Sequence, residues 1–90
     1  MRIVFDLAKD RQNQAKHRLS LAFANELEWD EALVWVDNRF SYDELRMVAL
    51  VPAGNRLYYT SFVDRGVVYR IISLRYATRR ELTHYVQSYP

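Results

Sequence analysis

Arg70, Arg75, Arg79 and Arg80 crowd into the run Arg-Ile-Ile-Ser-Leu-Arg-Tyr-Ala-Thr-Arg-Arg-Glu at residues 70–81. Each guanidinium presents a rigid fork of donors that matches phosphate oxygens, so the natural partner of such a cluster is a polyanion. Arginine stays protonated at any working pH, and these four, together with Arg46, are read as phosphate clamps rather than proton carriers. Proton transfer falls to His17, whose imidazole titrates near ~6.5 when unperturbed and can act as base or acid. Glu44 and Tyr76 are weaker candidates. Together these residue types supply what displacement at a phosphate needs: a base for the attacking group, cations to stabilise the charged intermediate, and an acid for the leaving oxygen. Plainer readings stand beside these: a histidine at a helix end is often structural, Arg46 can pair with Glu44 or Asp43, and Tyr76 can simply pack.

Where these groups point depends on the elements that carry them. Thr78 and Glu81 have the spacing of a capping box, which predicts a helix beginning near Arg79. Residues 67–75 read as a strand, and regular alternation would place Ser73 and Arg75 on one face and Arg70, Ile72 and Leu74 on the other. On that pattern the two arginines serve different faces unless a bulge intervenes. Arg75 is then preferred for the site because it adjoins helix N–H groups that attract phosphate. Arg46, at the start of its strand, ranks next.

The remaining pattern is a short apolar strand at residues 2–5, then a helix capped by Asp6 and running to about His17. Lys9, Asn13, Lys16 and His17 share one face of it, a stripe that is also what a solvent side looks like. Ser20 caps a second short helix at residues 21–27, with Leu21, Phe23 and Leu27 toward the core. Arg18 sits where glycine would ease a left-handed exit from the first helix, a strain of about 1 kcal/mol. Strands follow at residues 32–37, 46–51, 57–63 and 67–75, separated by turns at 38–41, 52–55 and 64–66. Connections this short imply antiparallel hairpins, with Gly66 and the Gly54-Asn55 pair supplying positive φ. The expected fold is α+β: an N-terminal strand, two helices, a four-stranded antiparallel meander and a C-terminal helix, with helices covering one sheet face.

Three anchors in order resemble the BrnT family of RelE-like ribonuclease toxins. They are Phe5-Asp6-x-x-Lys9-x-x-x-Asn13-x-x-Lys16-His17-x-x-Ser20, then Tyr42-Asp43-Glu44-x-Arg46, then Arg70-Ile-Ile-Ser-x-Arg75-x-Ala77-x-x-x-Glu81. The sequence departs from the family at Arg18 and Asp43, where glycine is usual, and at Tyr76, where lysine is common. The resemblance implies a RelE-like fold over residues 1–90, cleavage of RNA that halts translation, and neutralisation by a cognate BrnA-type antitoxin. Operator DNA would be contacted only through that antitoxin. The implied catalytic residues are Arg75, Arg46, His17 and Glu44, with Lys16, Arg70, Tyr76, Arg79 and Arg80 binding substrate. Two rival classes would use the same arginines: a catalytically weak toxin-fold protein acting as antitoxin-binding co-repressor, and a non-enzymatic RNA-binding module.

Composition agrees with one small domain spanning the 90 residues, half of them hydrophobic. The net charge of +2 hides an asymmetry: residues 1–45 sum to −3 and residues 46–90 to +5, with every cation of the second half an arginine. Cysteine is absent, so neither a disulfide framework nor a cysteine-ligated metal site is available. Glu81 and His84 have the spacing of a carboxylate–histidine pair, too few ligands for a held metal, and no nucleotide-cofactor fingerprint occurs. No signal sequence or bilayer-length apolar run is seen, and a cytoplasmic protein without cofactor or membrane contact is expected.

Overall fold

The computed structural model describes residues 1–39 and 43–89. In chain order it has β1 (Arg2–Val4), α1 (Leu7–His17), 3-10 helices at Leu21–Glu26 and Trp29–Glu31, β2 (Leu33–Val36), β3 (Arg46–Ala53), β4 (Arg56–Asp64), β5 (Val68–Tyr76) and α2 (Arg79–Ser88). Tyr42 and part of the turn expected at 38–41 lie outside the described residues. The meander is present, and β1 joins it, giving one five-stranded sheet in the order β1-β5-β4-β3-β2. β1 pairs parallel with β5, while the β2–β3, β3–β4 and β4–β5 pairs are antiparallel.

Alternation sorts the strands into two faces. One face of β3, β4 and β5 carries Ala49, Val51, Tyr58, Phe62, Ile71 and Leu74, which are buried against Leu21, Ala24 and Leu27. Those last three recur at intervals of three because Leu21–Glu26 is a 3-10 helix, whose side chains eclipse at i and i+3. Phe23, expected in the core, is accordingly half-buried at its rim. Trp29 closes this side, its ring 5.2 Å from Phe62 and 5.1 Å from Tyr69, and its indole N–H donates to Ala24 O. Full burial of a side chain such as Phe62 stabilises the fold by roughly 1.5–3 kcal/mol.

α2 lies over the opposite face, which corrects the expectation that helices cover one face only. Its Glu81 pairs with Arg75 of β5, and the ring of His84 lies 6.0 Å from Trp35 of β2. Tyr85 Oη donates to Glu31 O at 2.6 Å at the entrance to β2. Thr78 and Glu81 form the expected capping box.

Polar bonds attach α1, whose only buried residue is Asn13. β1 covers β5 only as far as Arg70, and farther along Asn13 takes the place of a neighbouring strand. Its Nδ2 donates to Leu74 O at 2.8 Å and to Leu19 O at 2.9 Å, while its Oδ1 accepts from Leu74 N at 3.0 Å. Asp10 of the same helix accepts from Leu21 N at 2.7 Å and from the Ser20 hydroxyl. Arg18 ends α1 at φ 60°, the left-handed conformation that a side chain disfavours.

Asn13→Ala leaves both main-chain groups of Leu74 without their partner. At about 1–3 kcal/mol for each stranded group, the substitution is expected to cost about 2–4 kcal/mol in urea unfolding. Gln12→Ala, on the exposed side of the same helix, is the control and is expected to be near neutral.

Candidate active site

Ser61 of β4 pairs with Ser73 of β5, yet the next β4 residue, Phe62, pairs with Ile71. Ile72 is therefore an extra residue on β5, a bulge. It shifts the alternation by one, so Tyr69, Ile71, Leu74 and Tyr76 face the core side while Arg70, Ser73 and Arg75 face the other. The expectation that Arg70 and Arg75 lie on opposite faces is thus corrected: it assumed a regular strand. Arg46 shares their face, because Arg46 and Arg70 both pair with Val63, one from each side. With strands about 4.8 Å apart, the two arginine backbones stand about 10 Å from each other. Two long side chains can close on one phosphate across that gap.

Two shallow depressions adjoin on this face. Arg46, Val63 and Arg70 line the first, with Asp43 and Glu44 at its margin. Lys9, Lys16 and His17 of α1 line the second, with Asn13 and Ser73. Ile72 belongs to both, so the bulged residue is the ridge between the arginines and the histidine. The Asn13 bond to Leu74 sets this approach, since it docks α1 one residue beyond Ser73. Burial holds His17 below its ordinary pKa, helped by the positive charges of Lys16 and Arg75. The ring is therefore biased toward its neutral form, able to accept a proton.

Arg75 is placed on the same face but is heavily engaged. Its Nη1 and Nη2 donate to the two oxygens of Glu81 at 2.8 and 2.9 Å, Nη1 also reaches Tyr76 O, and the guanidinium lies 3.9 Å from the centre of the Tyr59 ring. Glu44 is exposed, and Arg65 grips both its oxygens at 2.7 and 3.2 Å; that bond holds its carboxyl below the usual range. Arg70 has no hydrogen-bond or ion-pair partner among the described residues, and the charge of Glu44 is near it. Tyr76 points to the opposite side, its ring 5.4 Å from Tyr58 and beneath Arg56. Arg79 and Arg80 are exposed at the start of α2, at the far end of the strands from Arg46. Among the described residues no three His, Asp or Glu side chains converge as metal ligands do.

Sequence reasoning missed the middle of this face. The hydroxyls of Ser61 and Ser73 meet at 2.7 Å between the Arg46–Arg70 row and Arg75. Two serines facing each other across adjacent strands are visible only once the register is known.

A model of the family described as ribonuclease toxin, BrnT, of type II toxin–antitoxin systems matches residues 5–81. The chain belongs to the BrnT family. No curated relative matches it. The matched span holds α1, the whole sheet from β2 to β5, and the Thr78–Glu81 cap, and so takes in every group that lines the two depressions. BrnT proteins are ribonuclease toxins, and the type II system to which they belong pairs toxin with antitoxin. No described helix is long and apolar enough to cross a membrane.

The Arg75–Glu81 pair leads to a stability prediction. Arg75→Ala breaks a two-pronged, partly buried pair at the base of α2, and is expected to cost about 1–2 kcal/mol. Glu81 is held below its ordinary pKa of 4.5, first by Arg75. A depressed carboxylate stabilises the fold above its unfolded pKa, and this contribution disappears as pH falls through the lower folded value. The gap in melting temperature between wild type and Arg75→Ala should therefore be full near pH 7 and close in acid below about pH 4.

Proposed function

We propose that this BrnT protein is an endoribonuclease that cuts RNA through attack by the 2′-hydroxyl, without a metal, with Arg46 and Arg70 holding the scissile phosphate and His17 moving the proton. The observation that carries the reading is the meeting of the Arg46–Val63–Arg70 row with His17 across the bulged Ile72. Val63 gives the phosphate a dry floor, where charge stabilisation counts for more than in water. His17, biased neutral, takes the 2′-proton. The 2′-oxygen attacks phosphorus and the bond to the 5′-oxygen breaks; water protonates that oxygen, the His17 imidazolium returns its proton to solvent, and the products are a 2′,3′-cyclic phosphate and a 5′-hydroxyl. The two arginines are strongest where negative charge builds on the equatorial oxygens.

The other residues take supporting roles. Lys16 and Lys9 extend the positive surface along α1 for flanking phosphates, and Arg79 and Arg80 do so at the α2 end. Arg75, tied to Glu81, fixes the strand-to-helix junction and adds to the potential that keeps His17 unprotonated. Glu44 acts by ordering Arg65 and lowering the local positive excess beside Arg70. Neutralisation is by a BrnA-type antitoxin, and operator DNA is reached only through it. The site of action is the cytoplasm, where both RNA and antitoxin are made.

Purified protein is expected to cleave RNA in EDTA and to leave cyclic phosphate ends, as read by mass spectrometry. Arg46→Ala and Arg70→Ala should each lower kcat/KM by roughly 10²-fold or more, the usual loss when one transition-state donor is removed. His17→Ala should lower cleavage by about 10²-fold with RNA binding retained. Because His17 titrates below 6.5, the acidic limb of the wild-type profile should fall below pH 6.5 and vanish in that variant. Tight RNA binding with no cut product at any pH would establish the binding module instead.

A further inference from the structure

α2 turns its apolar side away from the protein that carries it. Glu81, His84, Tyr85 and Tyr89 meet the sheet side, by an ion pair, a ring contact with Trp35 and two hydroxyl bonds to main-chain oxygens. Leu82 and Val86, one turn apart on the other side, are 47% and 65% exposed, and none of the helix's described residues is buried. Beside them a groove runs between the start of α2 and the β3–β4 turn. Leu57, Tyr76, Ala77 and Leu82 form its floor, and among the described residues its charged walls are Arg56 and Arg79. The groove is formed rather than collapsed: Ala77 N donates to Leu57 O at 3.0 Å, and Arg56 lies 4.5 Å over the Tyr76 ring.

We propose that this groove, continued by Leu82 and Val86, is the anchoring site for the antitoxin, through a short amphipathic segment that is apolar on one side and carries carboxylates at its flanks. The inference rests on the reading of the chain as an antitoxin-neutralised toxin and names the surface that the partner uses. Two features choose the occupant. The aliphatic stripe offers nothing to a nucleic acid, whereas it fits the i, i+4 anchors of a helix laid in a groove. The walls carry positive charge with no lining acid among the described residues, and a second copy of the chain across a two-fold axis would set the same arginines against each other.

The groove also lies at the other end of the strands from the proposed RNA site. Val63 stands seven positions after Arg56 on β4, about 23 Å away at the usual rise of a strand. Anchoring is thereby separable from catalysis. A partner held here need not compete with the scissile phosphate, and only a further segment must reach the arginine row to block it.

The test uses the toxin co-expressed with the antitoxin encoded beside it, with calorimetry on the separated proteins. Leu82→Glu with Val86→Glu should weaken the complex by about 100-fold or more, because anchors of this kind carry most of the affinity. Arg56→Glu with Arg79→Glu should weaken it by about 10-fold and flatten its dependence on salt. The Leu82/Val86 variant should cleave RNA as wild type does, which also reports that it is folded, and an unchanged melting temperature reports folding of the Arg56/Arg79 variant. Arg46→Ala should bind antitoxin normally. Unchanged affinity in the Leu82/Val86 variant would overturn the proposal, as would loss of a toxin homodimer in that variant by light scattering, or loss of RNA binding with antitoxin affinity intact. Absence of cleavage in every protein, with the Leu82/Val86 effect on antitoxin preserved, would overturn the nuclease reading and leave the anchor standing.

Discussion

Ile72 has no partner of its own on β4, and the strand accommodates it by slipping the alternation of every side chain beyond it. Arg70 and Arg75 are five residues apart, which in a regular strand means opposite faces; with one residue bulged they share a face. Ile71 and Leu74 undergo the same shift in the other direction, and both reach the core fully buried. One extra residue thus satisfies the hydrophobic side and assembles the basic side together. The bulged side chain lies between the two depressions, with Arg70 on one flank and His17 on the other.

Bulges weaken pairing locally, and among the described residues no strand lies beside the outer edge of β5 past the bulge. Asn13 supplies the missing partner with one amide that donates to and accepts from Leu74. Fold and function meet at this residue. The bond that closes the sheet edge is also the bond that sets α1, and with it His17, against the arginine face. α1 has almost no apolar surface to dock with, so the position of the histidine rests on a few directional hydrogen bonds rather than on a greasy interface.

Much of this could be seen in the sequence. Both helix caps, the left-handed Arg18, the hairpin glycines and four strands followed from local chemistry, because capping boxes, Asx caps and positive-φ positions are decided by neighbouring residues. The parallel pairing of β1 with β5 is not legible, since partners such as Val4 and Arg70 stand 66 positions apart and no local pattern ties them. The bulge did leave a trace: Ile71 and Ile72 are adjacent apolar residues that break the alternation of Tyr69-Arg70 and Ser73-Leu74. Likewise the sequence shows Arg75 and Glu81 but not their pairing, because the strand-to-helix turn that brings them together is a tertiary fact. That pair separates two kinds of arginine in one cluster. Arg75 is paired with Glu81 at the base of α2, whereas Arg70 lines the depression floored by Val63.

The central claim is that RNA lies across the face made by Arg46, Val63, Arg70 and Ser73, with His17 at its side. An NMR titration with a short RNA made uncleavable by 2′-O-methylation reads this directly through backbone amides. The account predicts saturable shifts concentrated at residues 46, 63, 70, 72 and 73 and on the His17 end of α1, with little change at Leu82 and Val86. Shifts centred on α2 and the β3–β4 turn, or small shifts spread over every arginine and abolished together by modest salt, would contradict it.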